Sequence, residues 1–360
     1  RTITRRASRS NHFKKCDFSC VNSQKDDSTP AWKRYFSRMR ILSGIQPSGT
    51  LHLGNYFGMM KPAIELQEKG EAFYFIADLH ALTTVHDGSA LRANVRELAI
   101  DFLACGLNPT KAVFFRQSDV PAVTELSWIL STVTPMGLLE RCHSFKDKTA
   151  RGLAATHGLF AYPVLMAADI LMFNAHKIPV GKDQIQHVEM ARDVAGRFNH
   201  HYGEHFVLPS AVVDDKVAIL QGLDGRKMSK SYGNTIPLFL SAKKLKKHIN
   251  KIKTNLLEPG EPKDPETSAV FQIWKAFATE QQTAEMREEF ANGIAWGEAK
   301  KRLFELVDGQ LAEARERYET LMENPEQVEQ VLQKGAEKAR RESSALLAKL
   351  RHAVGIRPLA

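Results

Sequence analysis

Short apolar runs alternate with amphipathic stretches through the first two thirds of the chain. The runs at 40–45 (RILSGI), 72–77 (AFYFIA), 112–116 (AVFFR) and 177–180 (KIPV) predict strands, and the second of them predicts a strand buried on both faces. Helical patterns fall between them, and strands that alternate with helices favour a parallel sheet. The predicted helices are 55–68, 90–105, 123–132, 162–173 and 183–201.

The pattern changes near residue 237, after which few strand signals remain. Helical periods cover 241–252, 269–279, 284–291, 299–323 and 325–354. We therefore predict an α/β catalytic domain at 39–236 and an all-α domain at 237–360. Residues 137–158 are more polar and contain Lys146, Lys148 and Arg151, which predicts an insertion or a flexible loop.

Residues 1–38 are rich in Arg, Ser and Lys and show no convincing apolar period, so we expect them to be disordered. They lack the apolar core of a secretory signal. Two interpretations remain. If residues 1–38 are upstream sequence and Met39 is the natural start, which we favour, the protein is predicted to be cytoplasmic. If they are a transit peptide, it is predicted to be mitochondrial or plastid.

Net charge and cysteine content narrow the function classes. The formal charge is +9, but residues 1–38 carry +7 of it, so any RNA surface on the body must be a local patch. No apolar run reaches the roughly 18 residues of a membrane span. The four cysteines form no CxxC pair, so we predict no structural zinc or iron–sulfur site.

The first chemical motif combines GIQPSG at 44–49 with HLGN at 52–55, where a strand runs into a glycine-rich turn and then a helix. Glycine allows a ligand close to the backbone, and the free N–H groups of a helix start can hold phosphate or ribose oxygens. His52 and Asn55 add donors to the same region. A glycine-rich turn with a capping Asn is the alternative.

The second motif is KMSKS at 227–231, flanked by Gly225 and Gly233. Lys227 and Lys230 can neutralise a polyphosphate as charge builds up in a transition state, and a glycine-flanked loop suits a mobile clamp. An exposed basic loop is the alternative.

Together the two motifs resemble the signature sequences of class I aminoacyl-tRNA synthetases. Asn55 departs from the first signature, which has a second histidine there, but an amide can still donate to an oxygen. The resemblance implies a Rossmann-like doubly wound parallel sheet followed by a helical tRNA-binding domain. It also implies catalytic roles for His52, Lys148, Lys227, Lys230 and Ser231.

The middle of the chain narrows the resemblance to the bacterial-type tryptophanyl-tRNA synthetase family, through GIQPSG, YPVLMAAD at 162–169 and PVGKDQ at 179–184 with His187. It implies a tryptophan pocket made by His80, Tyr162, Met166, Asp169 and Gln184. It implies an ATP site made by Gln46, Pro47, Ser48, Gly54, Asn55, Gly181, Lys182, Asp183, Ile219, Lys227, Met228, Ser229, Lys230 and Ser231.

Asp169 supports this choice from its own chemistry. It is the one acid inside the apolar run PVLMAADILMF, and a buried carboxylate is costly unless paired. The indole N–H of tryptophan only donates, so a carboxylate suits it. A backbone or lysine partner is the structural alternative. Simple core packing is the alternative for Tyr162 and Met166. The alternative for His80 is a position that faces solvent, and the alternative for Asp183 is the N-cap of a helix.

The resemblance implies ATP, L-tryptophan and tRNA(Trp) as substrates, Mg²⁺ with the ATP, and a homodimer. Lysines 243, 244, 246, 247, 251 and 253 form a basic stretch that suits RNA phosphates, or simply a solvated helix face. Three functions compete with tryptophan activation: tyrosyl-tRNA synthesis, RNA binding without catalysis, and nucleotidyl transfer to a small molecule.

Overall fold

The structure is a computed structural model that describes residues 39–142, 150, 152, 154–181, 184–213 and 220–356. A five-stranded, all-parallel sheet has the strand order β3-β2-β1-β4-β5, which confirms the predicted doubly wound sheet. The strands are β1 (Arg40–Ile45), β2 (Glu71–Ile76), β3 (Ala112–Arg116), β4 (Lys177–Pro179) and β5 (Ser210–Val212). Sequence patterns missed β5, which has only three half-buried residues.

Alternate residues of β2 enter two separate cores, as expected for a strand covered on both faces. Tyr74 and Ile76 face the core shared with the helices that follow residue 241. Phe73 and Phe75 face the core on the other side of the sheet.

The helices of the α/β region are α1 (Leu53–Asn55), α2 (Lys61–Glu65), α3 (Asp78–Ala81), α4 (Gly88–Ala104), α5 (Ala122–Ser131), α6 (Met136–Glu140), α7 (His157–Met172) and α8 (Ile185–Tyr202). The short helices α3 and α6 were not predicted. α6 lies partly within the predicted loop 137–158, and α7 begins at residue 157 instead of the predicted 162. The helix predicted at 55–68 changes pitch, because a π-helical turn (Tyr56–Met60) joins α1 to α2. Pro62 lies in the first turn of α2, where its missing N–H costs little.

Five helices follow, as predicted. They are α9 (Ala242–Asn250), α10 (Ala269–Phe277), α11 (Glu280–Ala291), α12 (Trp296–Glu323) and α13 (Pro325–Ala353). The predicted domain boundary near residue 237 stays a prediction. Both cores contain residues from before and after it, so the two parts share their interior.

The long helix α13 returns to the sheet and packs along the edge strand β3. A side chain at Gly335 would overlap the carbonyl oxygen of Phe114, so glycine permits this approach. Ala336 and Ala339 are fully buried in the same contact. The helix therefore covers an edge that would otherwise be open to another strand. No helix in the described part of the chain is long and apolar enough to cross a membrane.

Candidate active site

Both motifs lie at the carboxyl ends of the strands, where doubly wound sheets bind ligands. β1 leads into the GIQPSG turn, and the neighbouring strand β4 leads to Gly181. The strand order reverses between β1 and β4, which opens a crevice at this edge.

His52 and Asn55 close the start of α1 as a reciprocal capping pair. The Asn55 backbone N–H donates to His52 Nδ1, and the His52 backbone N–H donates to Asn55 Oδ1, both at 3.3 Å. Burial, and secondly the charge of Lys230, lowers the His52 pKa from 6.5 to about 4, so the ring is neutral near pH 7. The capping alternative therefore holds for Asn55, and it leaves the Asn55 amide N–H₂ available.

The KMSKS loop is docked on the first motif. Gly54 N–H donates to Met228 Sδ at 3.4 Å, and Leu53 N–H donates to the Ile236 carbonyl at 3.0 Å. Lys230 Nζ donates to the carbonyl oxygens of Ser48 and Gly49, each at 2.9 Å. Two motifs about 170 residues apart in sequence thus form one site.

Asn234 organises the loop from beneath and was not among the predicted residues. Its Oδ1 accepts from the Ser229 N–H at 2.8 Å, and its Nδ2 donates to Asp224 at 2.6 Å and to the Lys227 carbonyl at 3.1 Å. Gly233, with φ of +62°, turns the chain into this position. The signal in the sequence was a single amide next to a glycine, which is too common to select.

The loop presents its polar groups to solvent. Lys227, Lys230 and Ser231 are exposed, whereas Met228 is buried. The hydroxyl of Ser231 lies 2.8 Å from that of Ser229. Gln46 is also exposed, and its amide donates to the His80 carbonyl at 3.2 Å, which links the turn to α3.

Asp169 lies in α7, is 2% exposed, and forms the centre of a second polar cluster. Gln117 Nε2 lies 2.9 Å from Oδ1 and 2.8 Å from Oδ2, and His80 Nε2 lies 2.9 Å from Oδ2. Burial raises the Asp169 pKa, while the bonds from His80 and Gln117 oppose that rise. The predicted backbone or lysine partner is absent from these contacts.

Aromatic rings continue this cluster. The His80 ring meets the Tyr162 ring edge to face at 5.9 Å, and the Tyr162 hydroxyl lies 3.0 Å from His187 Nε2. Met166 is half-buried against the core on the same side of the sheet. His80, Tyr162 and Asp169 are thus brought together as predicted, and His80 is bonded rather than free in solvent.

Gln117 is the main residue that sequence reasoning missed in this cluster. It directly follows β3, so the rule that selected His80, a polar residue after a strand end, would also have selected Gln117. Its side chain is fully buried and also accepts from the Leu79 N–H at 3.1 Å.

Comparison with known proteins agrees with this arrangement. Residues 36–312 match the family model described as tRNA synthetases class I (W and Y). The chain belongs to this family. Two curated relatives of the family are named tryptophan–tRNA ligase. The one from Neisseria meningitidis is 51% identical and is matched over 90% of this chain and 99% of its own. The one from Pseudomonas aeruginosa is 53% identical over 89% of this chain and 74% of its own.

Within the family, a solved tryptophanyl-tRNA synthetase from Campylobacter jejuni, complexed with ADP and tryptophan, superposes with a TM-score of 0.83. It is 51% identical and covers 88% of this chain and 100% of its own.

Several residues that the family resemblance assigned to the ATP site lie outside the described residues: Lys148, Lys182, Asp183 and Ile219. Gly181 is described and exposed, and its carbonyl accepts from the Gln184 N–H at 2.9 Å. Pro47 is buried at the base of the GIQPSG turn. In the described part of the chain, no group of three or more His, Cys, Asp or Glu side chains is arranged to hold a metal ion.

Proposed function

We propose that the protein is a tryptophan–tRNA ligase, which activates L-tryptophan with ATP and transfers it to tRNA(Trp). One observation carries the proposal. The docked HLGN and KMSKS motifs share a sheet edge with Asp169, a buried carboxylate that is bonded to His80 and Gln117. The family membership and the names of the relatives support the same function.

In the first step, the tryptophan carboxylate attacks the α-phosphate of ATP and pyrophosphate leaves. A carboxylate is already a nucleophile, so the step needs positioning and charge neutralisation rather than a general base. Gln46, Ser48, Gly54 and Asn55 lie on one side of the nucleotide in this proposal. The side chains of Lys227, Lys230 and Ser231 close on the pyrophosphate from the other side. Lys148, Gly181, Lys182, Asp183 and Ile219 complete the site.

Mg²⁺ enters this scheme with ATP, because phosphate oxygens and water are the ligands that it prefers. It neutralises phosphate charge when bound. The exposed lysines of the KMSKS loop add to that neutralisation from the protein side.

Tryptophan is recognised through Asp169 in this proposal. Oδ2 accepts from both Gln117 and His80, whereas Oδ1 accepts from Gln117 only, so Oδ1 retains a lone pair for the indole N–H. Tyr162, Met166 and Gln184 complete the pocket. A site that leaves a buried group unpaired with the wrong substrate can discriminate about 10⁴–10⁵-fold.

The tRNA contact is proposed for α9 and the residues that follow it. Leu245 and Ile249 are buried against the helices behind them. The lysines of this segment all remain exposed, and they are Lys243, Lys244, Lys246, Lys247, Lys251 and Lys253. The helix and the residues just after it therefore present a cluster of cations to RNA phosphates.

A homodimer and a cytoplasmic location are part of the proposal. Trp128 in α5 is 71% exposed and Met136 in α6 is 61% exposed, and a second copy of the chain would cover them. Analytical ultracentrifugation tests the dimer: Trp128→Glu should shift the protein to a monomer, and a wild-type monomer at micromolar concentration would contradict it.

Amino-acid-dependent exchange of labelled pyrophosphate into ATP tests the function itself. We expect exchange with tryptophan and none with tyrosine. Exchange with tyrosine alone would indicate the tyrosine enzyme of the same family. Absence of exchange with either amino acid, together with retained tRNA binding, would indicate an RNA-binding protein without catalysis.

A further inference from the structure

The KMSKS loop is flanked by Arg226 and Tyr232, and the side chains of these two residues contact each other. The Arg226 guanidinium lies over the Tyr232 ring, 4.5 Å from the ring centroid. Residues 227–231, the whole of the motif, lie between them in sequence. Both side chains are largely exposed. The contact therefore brings the two ends of the loop together at the surface of the protein.

Asp224 holds the Arg226 guanidinium in place. Arg226 Nε and Nη2 lie 2.7 and 2.6 Å from Asp224 Oδ2. Asp224 Oδ1 accepts from the Arg226 backbone N–H at 3.0 Å and from Asn234 Nδ2 at 2.6 Å. The bond from Asn234 is the main cause that lowers the Asp224 pKa to about 2, so the carboxylate stays charged. Asp224 thus connects the Arg226–Tyr232 contact to Asn234, which bonds the loop backbone.

The backbone turns at glycine on both sides of the loop. Gly225 has a φ of +83° and Gly233 a φ of +62°. On the first side, the Gly222 N–H donates to the Arg226 carbonyl at 2.7 Å. Glycine allows these turns, but it also leaves the chain free to adopt other conformations. A contact between the two ends therefore limits the conformations that are open to the loop.

We propose that Asp224, Arg226 and Tyr232 form a clasp that ties the ends of the KMSKS loop together and so positions Lys227 and Lys230 for the pyrophosphate. They are positioning residues, because they act on the nucleotide through the loop. This inference rests on the proposed adenylation function. An exposed ion pair and an exposed cation–π contact add little to global stability. Loss of the clasp should therefore lower the fraction of molecules whose loop can bind ATP, without unfolding the protein.

Amide hydrogen exchange of the full chain without substrates tests the clasp directly. The Met228 N–H donates to the Leu220 carbonyl and the Ser229 N–H donates to Asn234 Oδ1, so their exchange reports on opening of the loop. Tyr232→Leu should speed their exchange about two- to fivefold and leave that of α12 unchanged. Tyr232→Phe keeps the ring and should exchange at the wild-type rate. Wild-type exchange in Tyr232→Leu would overturn the clasp.

Pyrophosphate-exchange kinetics test its effect on ATP. Tyr232→Leu should lower kcat/KM for ATP about two- to fivefold, and Arg226→Gln, which also loses the ion pair, about tenfold. The KM for tryptophan should not change. Arg341→Gln, at an exposed position of α13, controls for loss of one positive charge. A matching rise in the tryptophan KM would indicate a general loss of structure and would overturn the proposal.

A double variant separates the clasp from direct contact between Arg226 and the phosphates. If Arg226 acts through Tyr232, the double variant Arg226→Gln/Tyr232→Leu should be no worse than Arg226→Gln alone. Fully additive losses would mean that each residue acts by itself, and would overturn the clasp. Failure of the wild type to exchange pyrophosphate with either amino acid would count against the proposed function, whereas hydrogen exchange would still decide whether the clasp holds the loop.

Discussion

Asp169 and Asp101 are both buried carboxylates beside the proposed site, yet their surroundings differ in kind. Asp169 is held by hydrogen bonds from Gln117 and His80 within 3 Å. The pKa of Asp101 is set by burial and by the charges of Glu97 and Lys230. Hydrogen bonds fix one geometry, whereas charges act over distance and tolerate movement. The carboxylate on the tryptophan side is therefore fixed by direct bonds, whereas Asp101 on the phosphate side acts on its surroundings through its charge.

The largest effect should come from removing the lysine charge proposed to meet the pyrophosphate. Lys230→Ala should lower the adenylation rate about 10²–10³-fold, as expected for a donor that neutralises transition-state charge, while the KM for tryptophan changes less than about threefold. Pyrophosphate-exchange kinetics measure both constants. Lys69→Ala removes an exposed lysine elsewhere and should have no effect. An equal loss in both constants would make Lys230 a structural residue.

The tryptophan side should respond in the opposite way, through KM rather than kcat. Asp169→Asn replaces a charged acceptor with a neutral one and should lower kcat/KM for tryptophan about 100-fold, mainly through KM, with most of the preference over tyrosine lost. Exchange assays with the two amino acids measure this. Asp193→Asn, at an exposed position on α8, is the matched control. Retained wild-type selectivity would refute the indole contact.

A substitution at the contact between α13 and β3 should change the stability of the whole protein and affect the tryptophan side and the phosphate side alike. Gly335→Ala forces α13 away from the Phe114 carbonyl and should cost about 1–3 kcal/mol of stability, measured by urea denaturation. Gly309→Ala in α12, where a Cβ meets nothing within 4 Å, should instead stabilise by about 0.5–1 kcal/mol. If α13 and β3 are in close contact, the stability changes of the two variants should have opposite signs. Equal signs would argue against the close contact.

Stability should also depend on pH through Asp101. The Asp101 pKa is about 8 in the folded protein and 3.8 ordinarily, so the folded state binds the extra proton between these values. The wild type should therefore lose about 1 kcal/mol per pH unit relative to Asp101→Asn as the pH rises from about 4 to 8. Thermal unfolding at several pH values measures the difference. The His52 contribution, which runs the other way below pH 6.5, is common to both proteins and cancels. A pH-independent difference would contradict the raised pKa.

Sequence patterns predicted most of the fold because the strands are buried on both faces and the helices are long. β5 was missed because three half-buried residues carry no period. The packing of α13 on β3 was missed for another reason. Its many charged residues are typical of a solvated helix face, and only the small residues Gly335, Ala336 and Ala339 indicate a close approach.

The sequence likewise predicted some residues of the candidate site and missed others. The motifs placed Lys230, His52 and Asp169 in one region, because their spacing relative to the strands puts them at one edge. Gln117 follows a strand end as His80 does, but its bonds to Leu79 and Asp169 span 38 and 52 residues of sequence and depend on how the elements pack. Asn234 bonds within its own loop, and an amide beside a glycine is too common a signal to select.

The contact between α13 and β3 also bears on how the chain is made. Residues 325–353 cover a strand that the ribosome has synthesised more than 200 residues earlier. While they are still in the exit tunnel, β3 has an open hydrogen-bonding edge and an uncovered apolar face. The nascent protein must therefore keep this edge from pairing with other chains until residues 325–353 have left the ribosome.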